Sequence, residues 1–173
     1  MGWLETYQNL VVGMVGIAGV IIAVVGNARA ARKQHRDEIE HERSTLRSAL
    51  IEELKINLEQ LQRNLDSFPE KPANGVIFFP TDPMEDAYRF FVGKIGLLTE
   101  PEVREVMRAY LYLRTFNARL FLIGVPPETG SRHVAIPPEK FPSLKAELEG
   151  AVSLVKQAHE VLTGAVDKRQ GNE

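Results

Sequence analysis

The feature that most constrains this chain is an uninterrupted apolar run near its start. Residues 10–26 contain no charged side chain and no proline. As a helix the run spans roughly 25 Å at about 1.5 Å per residue, and extending it back to Leu4 covers the hydrocarbon core of about 30 Å. Trp3 and Tyr7 lie one turn apart at its start, where aromatic rings favour the headgroup level. The pattern predicts a transmembrane helix over residues 10–28, preceded by a short external segment, residues 1–9.

The flanks of this run predict its direction. Glu5 is the one charged residue before it, whereas four basic residues follow it without an acid among them: Arg29, Arg32, Lys33 and Arg36. Positive flanks stay in the cytoplasm, so the N-terminus is expected outside and the remainder inside the cell, at a bacterial inner membrane. The same basic cluster is suited to anionic inner-leaflet lipid. Two alternatives stay open, a buried soluble helix and a signal peptide cut near Ala28-Arg29-Ala30, although a signal peptide carries its basic residues before the apolar core.

Small residues within the apolar run repeat at spacings of three and four. These spacings place them on one side of a helix, where close backbone approach drives association inside lipid. The predicted packing face, for self-association or for another membrane protein, consists of Gly16, Gly19, Ala23, Gly26 and Ala30. Glycine is common in membrane helices, so the repeat is also compatible with a helix that packs against nothing.

The rest of the chain predicts an all-α fold. Residues 29–47 are expected to form a basic flank and a polar helical stalk, and residues 48–166 a cytoplasmic antiparallel bundle of about four helices, of which the first is a bundle helix or a short coiled coil. Residues 167–173 are expected to be disordered. Helix boundaries follow from Pro69 after the first helix, Asp82-Pro83 before the second, the Thr99–Glu102 capping box before the third and Gly124 after it.

Two proline-rich loops interrupt the helical pattern. Residues 76–79 in the first and 132–136 in the second are candidates for a short two-stranded ribbon. A cleft under these loops is a candidate ligand site, with Asp82, Arg132 and His133 as its polar residues. The last helix is predicted over residues 143–166.

On the third helix, the sequence favours one broad inward side. That side holds Val103, Val106, Met107, Tyr110, Arg114, Asn117 and Phe121, with Leu111, Ala118 and Leu122 beside it. Arg104, Arg108 and Arg119 are compatible either with a basic face for an acidic partner or with local ion pairs to Glu100 and Glu105, and the local pairs are favoured.

Catalytic and metal-binding patterns are largely missing from the sequence. Without cysteine there are no disulfides, thiol nucleophiles or cysteine-ligated metals. The Glu38/His41 pair has the Glu-x-x-His spacing of di-iron bundles but lacks the second pair that such sites need. The Glu52/Glu53 pair is assigned to the outer face of its helix. We therefore expect a protein that is not an enzyme and has neither cofactor nor metal, and the net charge of −2 does not suggest nucleic-acid binding.

Part of the chain resembles a known group of proteins. Residues 48–58 (SALIEELKINL), with Tyr88 and residues 95–98 (IGLL), resemble uncharacterised small bacterial single-pass inner-membrane proteins with a helical cytoplasmic domain. The resemblance extends from the anchor to Tyr112. It implies the architecture and a bacterial origin, and it implies no activity and no site residues.

Two functions compete on these observations. The first is a non-enzymatic membrane-tethered interaction module, an accessory subunit, scaffold or sensor that associates through the small-residue face and the helical domain. The second is a homo-oligomeric pore-forming or membrane effector protein, against which the span offers no polar lining beyond Asn27.

Overall fold

The computed structural model describes residues 2–69, 75–80, 83–125 and 133–170. The side chains of residues 2–6, 8–11, 13–18 and 165–170 lie outside this description. The described part is mostly helical, as predicted, with four α-helices and one small two-stranded sheet. The elements are α1 (Gly2–Asp66), β1 (Ile77–Pro80), α2 (Asp86–Phe91), α3 (Glu100–Ile123), β2 (His133–Ile136) and α4 (Phe141–Gln170).

The chain divides into two units, residues 1–43 and residues 44–173. The first consists of the N-terminal part of α1, in which every side chain from residue 19 to residue 38 is exposed. In the described part of the chain, no helix is both long enough and apolar enough to cross a bilayer. Of the expected membrane segment, residues 10–28, the side chains of residues 10, 11 and 13–18 lie outside the described ones.

The second unit begins at Ser44, within the segment predicted as a polar stalk. Arg47, which the pattern assigned to that stalk, is buried together with Leu46. From Leu46 onward α1 buries a leucine stripe at multiples of a helical turn, namely Leu46, Leu50, Leu54 and Leu61. Burying each leucine stabilises the fold by about 2 kcal/mol. The helix ends at Asp66, just before Pro69, as predicted.

The second helix is shorter than predicted. Asp82-Pro83 was expected to open it, but α2 begins at Asp86 and a 3₁₀ helix, Val92–Leu97, follows it directly. The reason is tertiary, because side chains of α1 hold the backbone at residues 84, 87 and 88 and so decide where the first turn forms. Gly93 and Gly96 within the 3₁₀ segment are poor helix formers.

Helix α3 has the predicted boundaries. The Glu102 carboxylate accepts a hydrogen bond from the Thr99 backbone N–H, at 2.7 Å, which satisfies one of the donors left free at a helix start. The helix ends at Ile123, and Gly124 follows. A Cβ atom at Gly124 would collide with the Val134 side chain, so glycine here allows β2 to pass close to the end of α3.

The predicted inward side of α3 was wrong in part. Val106 and Tyr110 are buried as expected, but the residues that complete the buried side are Glu102, Glu105, Ala109, Leu113, Phe116 and Leu120. Met107, Leu111, Arg114, Phe121 and Leu122 are exposed instead. Each large apolar residue looked equally suitable for the core, because sequence periodicity does not say which of two apolar sides has a neighbour to pack against.

The ribbon between the two proline-rich loops is confirmed. Strands β1 and β2 pair antiparallel, with Ile77 opposite Ile136 and Pro80 opposite His133. Val134 and Ile136 turn their side chains into the core, and Phe79 does so from β1. A further bridge joins Val125 to Ala135, so the ribbon is fastened to the end of α3.

Helix α4 packs against α3 and completes the core. Its buried side consists of Leu144, Leu148, Ala151, Val155, Ala158 and Leu162, all fully buried. The helix begins at Phe141, two residues before the predicted start, and its backbone is described as helical to Gln170, beyond the predicted end at Val166. Residues 171–173 lie outside the described part, and the disorder of residues 167–173 stays a prediction.

Candidate functional site

A buried ion pair joins α1 to the start of α3. The Arg47 guanidinium donates to both carboxylate oxygens of Glu102, at 2.7 and 3.1 Å, and only 3% and 1% of the two residues is exposed. Thr99 donates to the same carboxylate through its hydroxyl as well as its N–H. Burial by itself raises the pKa of Glu102, but the hydrogen bonds from Arg47 and Thr99 outweigh burial and hold the pKa below 4.5. Glu102 is therefore ionised at neutral pH.

Glu53 supplies the cap that α2 lacks in its own sequence. Its carboxylate accepts from the backbone N–H groups of Ala87 and Tyr88, at 2.6 and 3.0 Å, and from the Tyr110 hydroxyl. The Tyr88 and Tyr110 rings stack with their centroids 4.1 Å apart. Burial, and then the Glu53 carboxylate, raise the pKa of Tyr110, so its hydroxyl stays protonated and donates. The assignment of Glu53 to an outer helix face was wrong, since 3% of it is exposed.

Asn57 completes the set of polar contacts made by α1. Its Nδ2 donates to the Met84 carbonyl at 2.7 Å, and its Oδ1 accepts from the Met84 N–H at 2.9 Å. We call Arg47, Glu53 and Asn57, with their partners, the α1 clamp. Each clamp residue is nearly fully buried and hydrogen-bonded, as buried polar groups must be to avoid a desolvation penalty. The clamp thus fixes α2 and α3 on α1.

A cleft lies beside the clamp, between α1, β1 and α3. Its inner part has a volume of about 30 Å³ and is lined chiefly by Leu61, Phe79, Leu113, Phe116 and Leu120. An outer hollow of about 280 Å³ adjoins it, and Asn64, Phe79 and Pro80 line both spaces. Because Pro80 and Pro83 border it, the cleft lies beside the first proline-rich loop.

The cleft contains one unpartnered polar atom. Asn117 Oδ1 is buried and accepts no hydrogen bond from any described residue. Asn57, Gln60 and Asn64 also line the cleft, but the Asn57 side chain is already engaged by Met84 through both its oxygen and its nitrogen. An unpaired buried acceptor costs roughly 1–3 kcal/mol, and Asn117, which carries it, is one of the residues that line the cleft.

The exposed side of α3, which we call the α3 outer face, is apolar and cationic. It consists of Arg104, Met107, Arg108, Leu111, Arg114, Thr115, Ala118, Arg119, Phe121 and Leu122. Leu111 is 69% exposed and Leu122 83%, and from Val103 to the end of α3 no acidic side chain is exposed. Enrichment in arginine, methionine and aromatic residues with depletion of lysine and acids is the composition of protein interfaces.

Local ion pairs form on this face, as favoured by the sequence, but they leave the arginines accessible. Arg104 and Arg108 approach the Glu105 carboxylate at 3.2 and 3.9 Å, and Arg119 approaches Glu147 of α4 at 3.0 Å. The three arginine side chains remain more than half exposed. Between α3 and α4 an open groove of about 390 Å³ adjoins the face, and its lining includes Leu111, Phe116 and Leu154 together with Glu147.

The sites expected from sequence meet different outcomes. Gly19 and Gly26 lie in α1 with open space around them, and Ala23 and Ala30 are exposed. Gly16 lies in the same helix, but its exposure is outside the description. The basic cluster Arg29, Arg32, Lys33 and Arg36 is fully on the surface, and Tyr7 is 55% exposed. The side chain of Trp3 lies outside the described ones.

Of the polar residues assigned to the cleft, Asp82 and Arg132 lie outside the described residues. His133 lies in β2 opposite Pro80, on the exposed side of the ribbon, and is not among the side chains that line the cleft. Neither the cleft acceptor Asn117 nor the three clamp residues of α1 were predicted as site residues. The one available signal was their helical spacing, since Glu53 and Asn57 are a turn apart and adjoin the leucine stripe.

Metal ligation finds no support in the described residues, where no three histidine or acidic side chains cluster. Glu38 and His41 lie on an exposed stretch of α1. No protein-family model, no curated protein and no solved structure matches the chain.

Proposed function

We propose that this protein is a non-enzymatic, membrane-tethered interaction module. Residues 10–28 anchor it in the bacterial inner membrane with the N-terminus outside, and the helical unit docks a protein partner in the cytoplasm. The observation that carries the docking role is the α3 outer face, whose ten residues include four arginines and five apolar side chains but no acid. Such a face on an otherwise mixed-charge surface marks a binding site.

The anchor is proposed on the sequence. Residues 10–26 carry no charge, and the basic cluster that follows them fixes the orientation and attracts anionic inner-leaflet lipid. The small residues Gly16, Gly19, Ala23, Gly26 and Ala30 then form a packing face for a second copy or another membrane protein.

We propose an acidic amphipathic helix of a partner protein as the occupant of the α3 outer face. The apolar positions Met107, Leu111, Ala118 and Leu122 recur at helical spacing, and a helix laid beside them contacts the groove between α3 and α4. Arginine rather than lysine flanks these positions, which suits bidentate pairing with carboxylates. Since the face exposes no acid, the complementary charge comes from the partner.

Site-specific photo-crosslinking in native membranes tests this docking role. A photoreactive residue at Leu111 in the full chain is expected to give one discrete protein adduct, whose crosslinked peptide maps to an acidic amphipathic helix. The same residue at Gln157, exposed on α4, is the matched control and should not give that adduct. Arg104→Glu with Arg108→Glu should reduce the adduct at least about tenfold, since like charges across an interface are strongly unfavourable.

The outcomes separate the occupants. An adduct that arginine reversal abolishes, and that reversal of the partner's acids to arginine restores, supports the proposal. Adducts to lipid identify a bilayer as the occupant, and adducts to this chain identify a second copy. Either result, or no adduct, overturns the assignment of a partner helix.

Anchoring and assembly have separate tests. Alkaline washing should leave the full chain in the membrane pellet, and a C-terminal reporter should be active only in the cytoplasm. In lipid nanodiscs, Gly19→Leu or Ala23→Leu should weaken association through the membrane helix, with Ile21→Leu as the control. Extraction at alkaline pH, or an external reporter signal, would remove the anchor from the proposal.

A further inference from the structure

The cleft between α1, β1 and α3 is not used by the proposed docking role. Its inner walls are apolar on three sides: Leu61 from α1, Phe79 from β1, and Leu113, Phe116 and Leu120 from α3. The Phe79 and Phe116 rings meet edge to face, with centroids 5.7 Å apart. These side chains belong to the packed core of the unit, so the walls are formed in the absence of a ligand.

The polar side chains of the cleft are neutral, namely the amides of the inner part and the Ser67 hydroxyl of the outer hollow. None of the described side chains that line it is charged, and Asn117 Oδ1 is the buried acceptor without a partner. A charged ligand would lose its hydration there and find no counter-charge, which is costly. A neutral donor can pair with the Asn117 acceptor without the cost of removing water from a charge.

We propose that this cleft binds a neutral small molecule with an apolar ring or short chain and one O–H or N–H donor. The donor bonds to Asn117 Oδ1, and the apolar part lies against Phe79 and Phe116. The inner volume of about 30 Å³ holds the donor group, and the outer hollow of about 280 Å³ holds the remainder. The combined space corresponds to the small end of ligand pockets, which start at about 300 Å³.

Binding at this position has a structural consequence. Most of the lining comes from α1 and α3, which the α1 clamp joins through the hydrogen bond between Glu53 and Tyr110. A ligand that contacts both helices stabilises their packing, because any molecule that binds only the folded state shifts the unfolding equilibrium. The inference goes beyond the docking role, since it assigns the unit a small-molecule site on different residues.

The test compares two probes that differ in one donor, phenol and toluene. The full chain is placed in lipid nanodiscs with leucine methyl groups labelled for NMR. Phenol should shift the methyl signals of Leu61, Leu113 and Leu120 in a saturable way, and the signals of Leu54 and Leu148, buried away from the cleft lining, should stay in place. Toluene should bind about tenfold more weakly, because it leaves Asn117 Oδ1 unpaired.

Asn117→Leu removes the acceptor while keeping the side chain's size. It should abolish the preference for phenol over toluene, and Thr115→Val, on the outer face of the same helix, should retain it. A purely structural role of Asn117 would lower the thermal stability without changing the preference.

The preference in the unchanged protein is a second, independent test that does not depend on a variant folding. Equal binding of phenol and toluene, or no saturable shift with either, overturns the proposal and assigns the cleft to water. A phenol preference that survives Asn117→Leu overturns the role of Asn117.

Discussion

The α1 clamp and the cleft lie side by side between α1 and α3, yet they differ in whether their buried polar groups are hydrogen-bonded. In the clamp, Arg47, Glu53 and Asn57 are matched by partners within the fold. In the cleft, Asn117 Oδ1 is equally removed from solvent and has no partner among the described residues. Satisfied buried polar groups specify a structure, whereas an unsatisfied one leaves binding capacity. The comparison separates residues that hold the fold from residues free to recognise something else.

Breaking the ion pair of the clamp should have the largest effect. Arg47→Met leaves the Glu102 carboxylate buried without its cation, and we expect a loss of about 3–5 kcal/mol in the free energy of unfolding. Hydrogen exchange of the slowest core amides measures this loss. Arg63→Met is the control, since the Arg63 pair with Glu59 is exposed and spans 3.9 Å.

The double variant Arg47→Met/Glu102→Gln sharpens that result. Glutamine still accepts from the Thr99 N–H but carries no charge, so much of the stability should return. If the double variant is no more stable than Arg47→Met alone, the loss comes from packing of the arginine and not from the unpaired carboxylate.

Removing the carboxylate of Glu53 should have the next largest effect. Glu53→Leu leaves two backbone N–H groups of α2 and the Tyr110 hydroxyl without an acceptor, which we expect to cost about 3 kcal/mol. Exchange should accelerate most in residues 84–91. Glu52→Leu changes the neighbouring exposed side chain and should leave that segment protected. Unchanged protection of these amides in Glu53→Leu would show that α2 does not depend on capping by the Glu53 carboxylate.

The lowered pKa of Glu102 predicts a dependence of stability on pH. Because the folded state holds this pKa below its unfolded value of about 4.5, the stabilisation is complete above that value and is lost as pH falls through the folded pKa. Unfolding measured from pH 7 down to pH 3 should show the free energy of unfolding falling as this carboxylate becomes protonated. Glu102→Gln should flatten that part of the profile, and an unchanged slope would assign it to other carboxyls.

The smallest effect, with the opposite sign, is expected in the cleft. Asn117→Leu removes an unpaired buried acceptor and should leave the free energy of unfolding unchanged or raise it by up to about 1 kcal/mol. Asn57→Leu, which removes an acceptor and donor engaged by Met84, is the paired comparison and should be destabilising. A clear loss of stability in Asn117→Leu would show that Asn117 stabilises the fold as the clamp residues do, and it would contradict the difference between clamp and cleft.

Much of this protein followed from local sequence. The mostly helical content, the Thr99–Glu102 start and Gly124 end of α3, and the presence of a short strand in each proline-rich loop were all predicted correctly. These features depend on residues within one or two turns of one another, or on alternation within a strand, and such short-range patterns are visible in the chain itself. The membrane anchor rests on the same kind of pattern and stays a prediction.

Only the tertiary structure decided which polar residues are internal. Arg47 and Glu53 belong by type to a solvated surface, and they are buried because Glu102 and Tyr110, more than fifty residues later, meet them. The same packing chose between two apolar sides of α3, enclosing Leu113 and Phe116 and leaving Leu111 and Leu122 outside. Whether a side chain is buried depends on which distant part of the chain packs against it. The helical periodicity of the sequence shows only that one side of a helix is apolar enough to be buried. The clamp, the cleft and the α3 outer face all arise from that choice.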